Sequence, residues 1–251
     1  MEGWAKLITA VAALLGAVAW PAAVATLLII FRQEIRNALA KIPSVMDRMR
    51  ALKLGAITTE LDRVANEAVA KPSNAGTVSM AEVQTAALIS RDSAAIGELA
   101  LAAQLDILCV EYDTIRRVMP PGDRRTSAMT RVFVQMRSLG PSISNRIEAY
   151  ANAGSPGSRL AAVAMMQMEP NKADLPWLVE RFRIEHPFIF YHAALALQNV
   201  ANDGDVERLA ATKAAAADAL AILKTFDGTS DASSIHVLEA LIADRFSGHY
   251  L

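Results

Sequence analysis

A single cysteine, Cys109, stands in 251 residues, which excludes a disulfide framework and any zinc or iron–sulfur site built on thiolates. Glycine is sparse and scattered, at 12 positions, and no phosphate-cradling Gly-rich loop, nucleophile elbow or His-Glu-x-x-His helix occurs. The 4 histidines do not compensate: His186 and His192 are six apart, which misses the three- or four-residue spacing of helical metal ligands, and packing or capping roles are expected for both. Net charge is −1, against a nucleic-acid coat protein. No acid–base pair emerges from spacing, so no catalytic, metal or cofactor-binding residue is assigned, and a non-enzymatic protein is expected.

What the chain has in abundance is apolar residues, 53% of the total with only 6% aromatic. From Leu7 to Phe31, 25 residues carry no charge. At about 1.5 Å per residue this run covers roughly 37 Å, more than the ~30 Å hydrocarbon core of a bilayer. A transmembrane helix is predicted, with Pro21 tolerated in mid-span. A cleaved signal peptide ending at Ala17-Val18-Ala19 fits less well, because Lys6 is the only cation before the run and the run continues to Phe31. Arg32, Arg36, Lys41, Arg48, Arg50 and Lys53 follow the span, six basic against two acidic residues over 32–53. The positive-inside rule then puts the N-terminus outside the inner (cytoplasmic) membrane and everything after residue 31 in the cytoplasm, with these six side chains as a lipid-facing strip.

Ile35, Leu39, Ile42, Met46 and Met49, then Ile57, Leu61, Val64 and Ala68, alternate at spacings of four and three, the repeat of a coiled-coil seam. Pro43 and Gly55 are expected to break this stalk, residues 32–70, into short pieces. A homo-oligomer joined through span and stalk, an amphipathic helix lying on lipid, and a helix folded back on the following domain all fit the pattern. Leu52-Lys53-Leu54-Gly55, followed by Glu60 and Asp62, resembles the juxtamembrane segment of small single-span bacterial membrane proteins, a resemblance that implies no activity.

Residues 71–78 read as a linker of turn formers, and Ser79 with Glu82 forms a capping box that opens a new helical region over 79–154. Helical spacing persists to the end of the chain, so the fold class is all-α. One long helix is expected from Ser93 to Val118, stopped by Pro120-Pro121-Gly122, and another from Asp123 to Leu139 with Met129, Val132, Phe133, Met136 and Leu139 on one side. Pro156, Leu175-Pro176 and Pro187 open three further helices, and helices over 205–226 and 233–246 follow.

Ala161-Ala162-Val163 and Ala193-Ala194-Leu195 echo one another at a shift of 32 residues, with prolines at the turns and Leu175 and Leu178 at the start of an intervening helix. This pattern resembles HEAT-like or armadillo-like repeats over about 155–245, within a last region of 155–251. The resemblance implies stacked helix hairpins and a protein-binding scaffold with no active site. Pro187-Phe188-Ile189-Phe190-Tyr191, with Trp177 and Phe182, is expected to form the core where the two units meet, whereas exposure of Tyr191 or Trp177 points to a partner groove.

Arg116, Arg117, Arg124, Arg125 and Arg131 bracket the Pro-Pro-Gly turn and form a candidate patch for an anion, an acidic partner or lipid headgroups. Glu111, Asp113 and Asp123 are close enough in sequence to neutralise them. The leading expectation is a membrane-anchored adaptor whose cytoplasmic domain binds a protein. The alternative is a membrane-active effector of a bacterial conflict system, its span self-associating through Ala10, Ala13, Gly16 and Ala17.

Overall fold

The computed structural model describes residues 32–70, 76–203, 206–226 and 231–243, with the side chains of 34–50 left out of the description. The span expected over Leu7–Phe31 lies outside the described residues, and among these no helix is long and apolar enough to cross a membrane. The chain divides into two compact units, residues 1–52 and 53–251.

All regular structure among the described residues is helical. Helix α1 runs Arg32–Ala70, α2 Met80–Ile96, α3 Glu98–Val118 and α4 Asp123–Leu139. A 3-10 turn over Gly140–Arg146 leads into the short α5, Ile147–Ala151, and α6 spans Pro156–Met168. Then come α7, Leu175–Ile184; α8, Pro187–Asn202; α9, Val206–Leu223; and α10, Ala232–Ile242. The prolines at 156, 176 and 187 each sit in the first turn of a helix, where the missing N–H would have had no intrahelical partner.

Helices α6 and α8 form the centre. In α6 every residue from Leu160 to Gln167 is buried, and in α8 every residue from His192 to Leu197. The two Ala-rich segments pack on each other; small side chains on both let the backbones approach. On one side α3, α4 and α5 cover α6; on the other α7, α9 and α10 cover α8. Phe182 of α7 stacks on Phe190 of α8 at 5.7 Å, so the aromatic segment does contribute to the core.

The chain differs from its sequence reading at two places. The stretch Ser93–Val118 is not one helix: Gly97 takes φ 93°, a left-handed backbone that suits glycine, and separates α2 from α3. Conversely, α1 is continuous through Pro43 and Gly55. A helix-interior proline removes one hydrogen bond and a glycine costs about 1 kcal/mol, and neither ends a helix of this length. Within the second unit, Ile57, Leu61 and Val64 are buried and join the core, Gln135 Nε2 donates to Asp62 Oδ1 at 2.8 Å, and Lys53 pairs with Asp92 at 3.4 Å. That half of the expected seam is therefore consumed within its own chain, folded onto the domain, and is not free for a partner helix or for lipid.

Candidate functional site

The capping box at Ser79 is present, and it is also one end of a buried polar thread. The Ser79 hydroxyl accepts from the Glu82 amide, and one Glu82 carboxylate oxygen accepts from the Ser79 N–H and hydroxyl, both at 2.8 Å. The other carboxylate oxygen faces Arg137 Nε at 2.7 Å, an ion pair by distance whose angle does not make a hydrogen bond. Arg137 is 0% exposed. Its Nη1 donates to the Gly76 carbonyl and to Gln167 Oε1, each at 3.2 Å, and its guanidinium sits 5.0 Å over the Phe133 ring. Gln167 in turn donates to the His192 carbonyl at 2.6 Å. Burial lowers the Arg137 pKa, opposed by the Glu82 charge. The thread joins the end of the linker and α2, α4, α6 and α8.

In front of this thread lies a cavity of about 480 Å³, walled by Arg116 at the end of α3, Arg125, Thr126, Met129 and Thr130 of α4, Pro187, Phe188, Tyr191 and His192 of α8, and Asp231 and Ser233 at the start of α10. His192 is 2% exposed, stacks on Phe133 at 3.8 Å, and its Nδ1 has no hydrogen-bond partner among the described residues. Burial, with the nearby Arg137 charge, holds its pKa well below the ordinary histidine value, so the imidazole is neutral. The half-buried Tyr191 phenol is pushed up by burial and Asp231, and keeps its proton. Exposed His186, just before α8, is lowered by partial burial and then by Arg116.

The five patch arginines are sorted by helical phase. Arg116 and Arg125 reach the cavity, whereas Arg124 and Arg131, seven apart and so on one face of α4, line a separate depression with Glu111 and Asp123. Arg117 is exposed away from both. The acidic neighbours do not neutralise the cavity pair: Asp113 accepts instead from the Gly157 amide at 2.9 Å, and among the described residues no carboxylate lies within ion-pair distance of Arg116 or Arg125. Of the expected lipid-facing strip, Arg32 is exposed, Lys53 is paired, and the side chains of Arg36, Lys41, Arg48 and Arg50 lie outside the described residues.

Sequence reasoning passed over two features. Arg137 lies four residues after Phe133 and so on the buried face of α4, the signal that could have found it. The other is a second apolar face on α3. Leu99, Ile107, Val110 and Val118 are 78, 59, 65 and 71% exposed, and with Ala103 and Thr114 they fall within roughly 100° of arc. The face opposite them, including Leu101, Leu105, Leu108 and Tyr112, is buried. Among the described residues no group of three or more His, Cys, Asp and Glu side chains converges as a metal site, and burial pushes the Cys109 thiol up to about 12. No family model, curated protein or solved structure matches this chain.

Proposed function

We propose that the protein is a non-enzymatic scaffold, anchored in the inner membrane by its Leu7–Phe31 segment, whose cytoplasmic helical domain binds a protein partner. The observation that supports a partner is the exposed apolar face of α3: four large aliphatic side chains in line on one helix leave an apolar stripe in water, the kind of surface a partner would cover. The packing of Ala-rich α6 on Ala-rich α8 supports a HEAT-like reading of 155–245, an architecture suited to presenting helix faces. The anchor rests on the uncharged run and the basic strip behind it.

Two measurements on the full chain test this. Ile107→Asp with Val110→Asp, compared with the unaltered protein after cross-linking in intact membranes, is expected to lose a specific cross-linked protein. Identical cross-link patterns for both forms would refute the α3 surface. Carbonate-washed vesicles should retain the chain, and its recovery in the supernatant would refute the anchor.

A further inference from the structure

We propose that the cavity beside Arg116 and Arg125 binds a phosphate monoester carried on a small organic body. Two helices, α8 and α10, begin at this cavity, α4 lines it from Arg125 onward, and none of the three has a side-chain hydrogen bond capping its first turn. Each start carries about half a positive charge; the first amides of α10 have no intrahelical partner, whereas at α8 Pro187 has no N–H and the Ile189 amide already donates to the His186 carbonyl at 2.9 Å. Two guanidiniums add to this field, and Asp231 is the one carboxylate on the wall. The α3 C-terminus ends at the same place, but Arg125 Nη1 reaches the Met119 carbonyl there at 3.5 Å.

Independently of the helix starts, the wall contains polar atoms that the protein leaves unsatisfied. His192 Nδ1 and Arg125 Nε are both buried without a partner among the described residues. A buried polar atom of this kind costs free energy unless something bonds it, and both belong to residues lining the same space. The hydroxyls of Thr126, Ser233 and Tyr191 supply further donors.

The donor set favours phosphate over carboxylate. A carboxylate offers two oxygens in one plane, which one guanidinium can satisfy; a phosphate monoester offers three oxygens and close to two charges, matching two guanidiniums plus helix-start amides. The volume of about 480 Å³ lies in the range of organic-ligand sites, and Phe188 and Met129 give the body an apolar wall. Asp231 can accept from a hydroxyl or amine on that body and would repel a second anionic group. The ligand class is thus a singly phosphorylated molecule bearing hydrogen-bond donors, whether a soluble sugar or nucleoside phosphate or a phosphomonoester lipid headgroup.

The test is titration of the full-length protein in detergent with ribose 5-phosphate, adenosine 5′-monophosphate, inorganic phosphate and, in mixed micelles, phosphatidic acid, read by calorimetry. At least one organic phosphomonoester is expected to bind, more tightly than inorganic phosphate and more weakly as salt rises. Arg116→Gln with Arg125→Gln should weaken it at least about tenfold. Arg117→Gln with Arg124→Gln, outside the cavity, should leave it unchanged and verifies that substituted arginines are tolerated. Binding of a soluble ester or of phosphatidic acid would identify the source of the group. The proposal is overturned if none binds at millimolar concentration, if inorganic phosphate binds as tightly as the esters, or if both arginine pairs weaken binding equally.

Discussion

Replacing Gly157 with alanine is the most direct test of how α6 enters the core. Gly157 is in the first turn of α6, buried, with its N–H donated to Asp113 Oδ1 at 2.9 Å. A Cβ there would stand 2.2 Å from the Cys109 carbonyl oxygen, 2.9 Å from its carbon and 3.0 Å from its Cα, all backbone of α3. No side-chain rotation relieves such a contact, so α3 and α6 would have to separate by about 1 Å, loosening the close packing of these two helices in the core. Alanine improves helix propensity by up to about 1 kcal/mol, whereas overpacking costs typically about 1–3 kcal/mol and more when only backbone can yield. A net loss of about 2 kcal/mol is expected, or about 4–8 °C in Tm for a domain of this size. Gly55→Ala is the control: its Cβ would meet nothing within 4 Å, so only the helix-propensity gain remains and stability should rise by about 0.5–1 kcal/mol. Thermal unfolding of both full-length variants, followed by circular dichroism at 222 nm in one detergent, gives opposite signs if the reasoning is right. A Gly157→Ala protein as stable as the parent would refute the close approach of α3 and α6.

Three other perturbations address the buried polar thread, the cavity histidine and the docking of α1. Arg137→Met leaves Glu82 buried without its cation and should cost about 3–5 kcal/mol, while adding Glu82→Gln should recover at least about 1 kcal/mol; strict additivity in chemical denaturation would contradict the pair. His192 is held neutral in the folded protein by burial and then by the Arg137 charge from α4; Tyr191 is its ring neighbour, and Arg116, Arg125 and Asp231 share its cavity wall. Because its folded pKa lies below the unfolded one, the unfolded chain binds the extra proton first. Stability should therefore fall by up to about 1.4 kcal/mol per pH unit below about 6.5. His192→Phe should flatten that slope, and an unchanged slope would place the acid sensitivity elsewhere. Leu61→Ala should cost about 2–5 kcal/mol, because Leu61 is 1% exposed, whereas Lys53→Met should cost under about 1 kcal/mol for a partly exposed pair; equal effects would mean that residues 53–70 of α1 are held by charge and not by burial.

Helix starts were legible because they are local. Ser79 and Glu82 satisfy amides within one turn, and Pro156 and Pro187 fix φ at their own positions, so α2, α6 and α8 begin where the residues dictate. The break at Gly97 was not, since a lone glycine inside a helical pattern is compatible with either a continuous helix or a left-handed turn, and packing decides which. The fate of Ile57, Leu61 and Val64 was likewise undecided: a four-three spacing specifies an apolar stripe but not whether another chain, lipid or its own domain covers it.

The arginine patch shows how much chemistry such a reading can carry. Its location at the turn before α4 follows from the sequence, and helical phase already separates Arg125, Thr126, Met129 and Thr130 on one side from Arg124 and Arg131 on another. What phase cannot supply is the opposite wall. His192 arrives from α8, which packs on α6 as α4 does and stacks this residue on Phe133 of α4, and Asp231 arrives from the start of α10, which packs on α8. The cavity is therefore a product of that close packing. A substitution that pushes α4 and α8 apart should open the wall between Arg125, on α4, and His192, on α8.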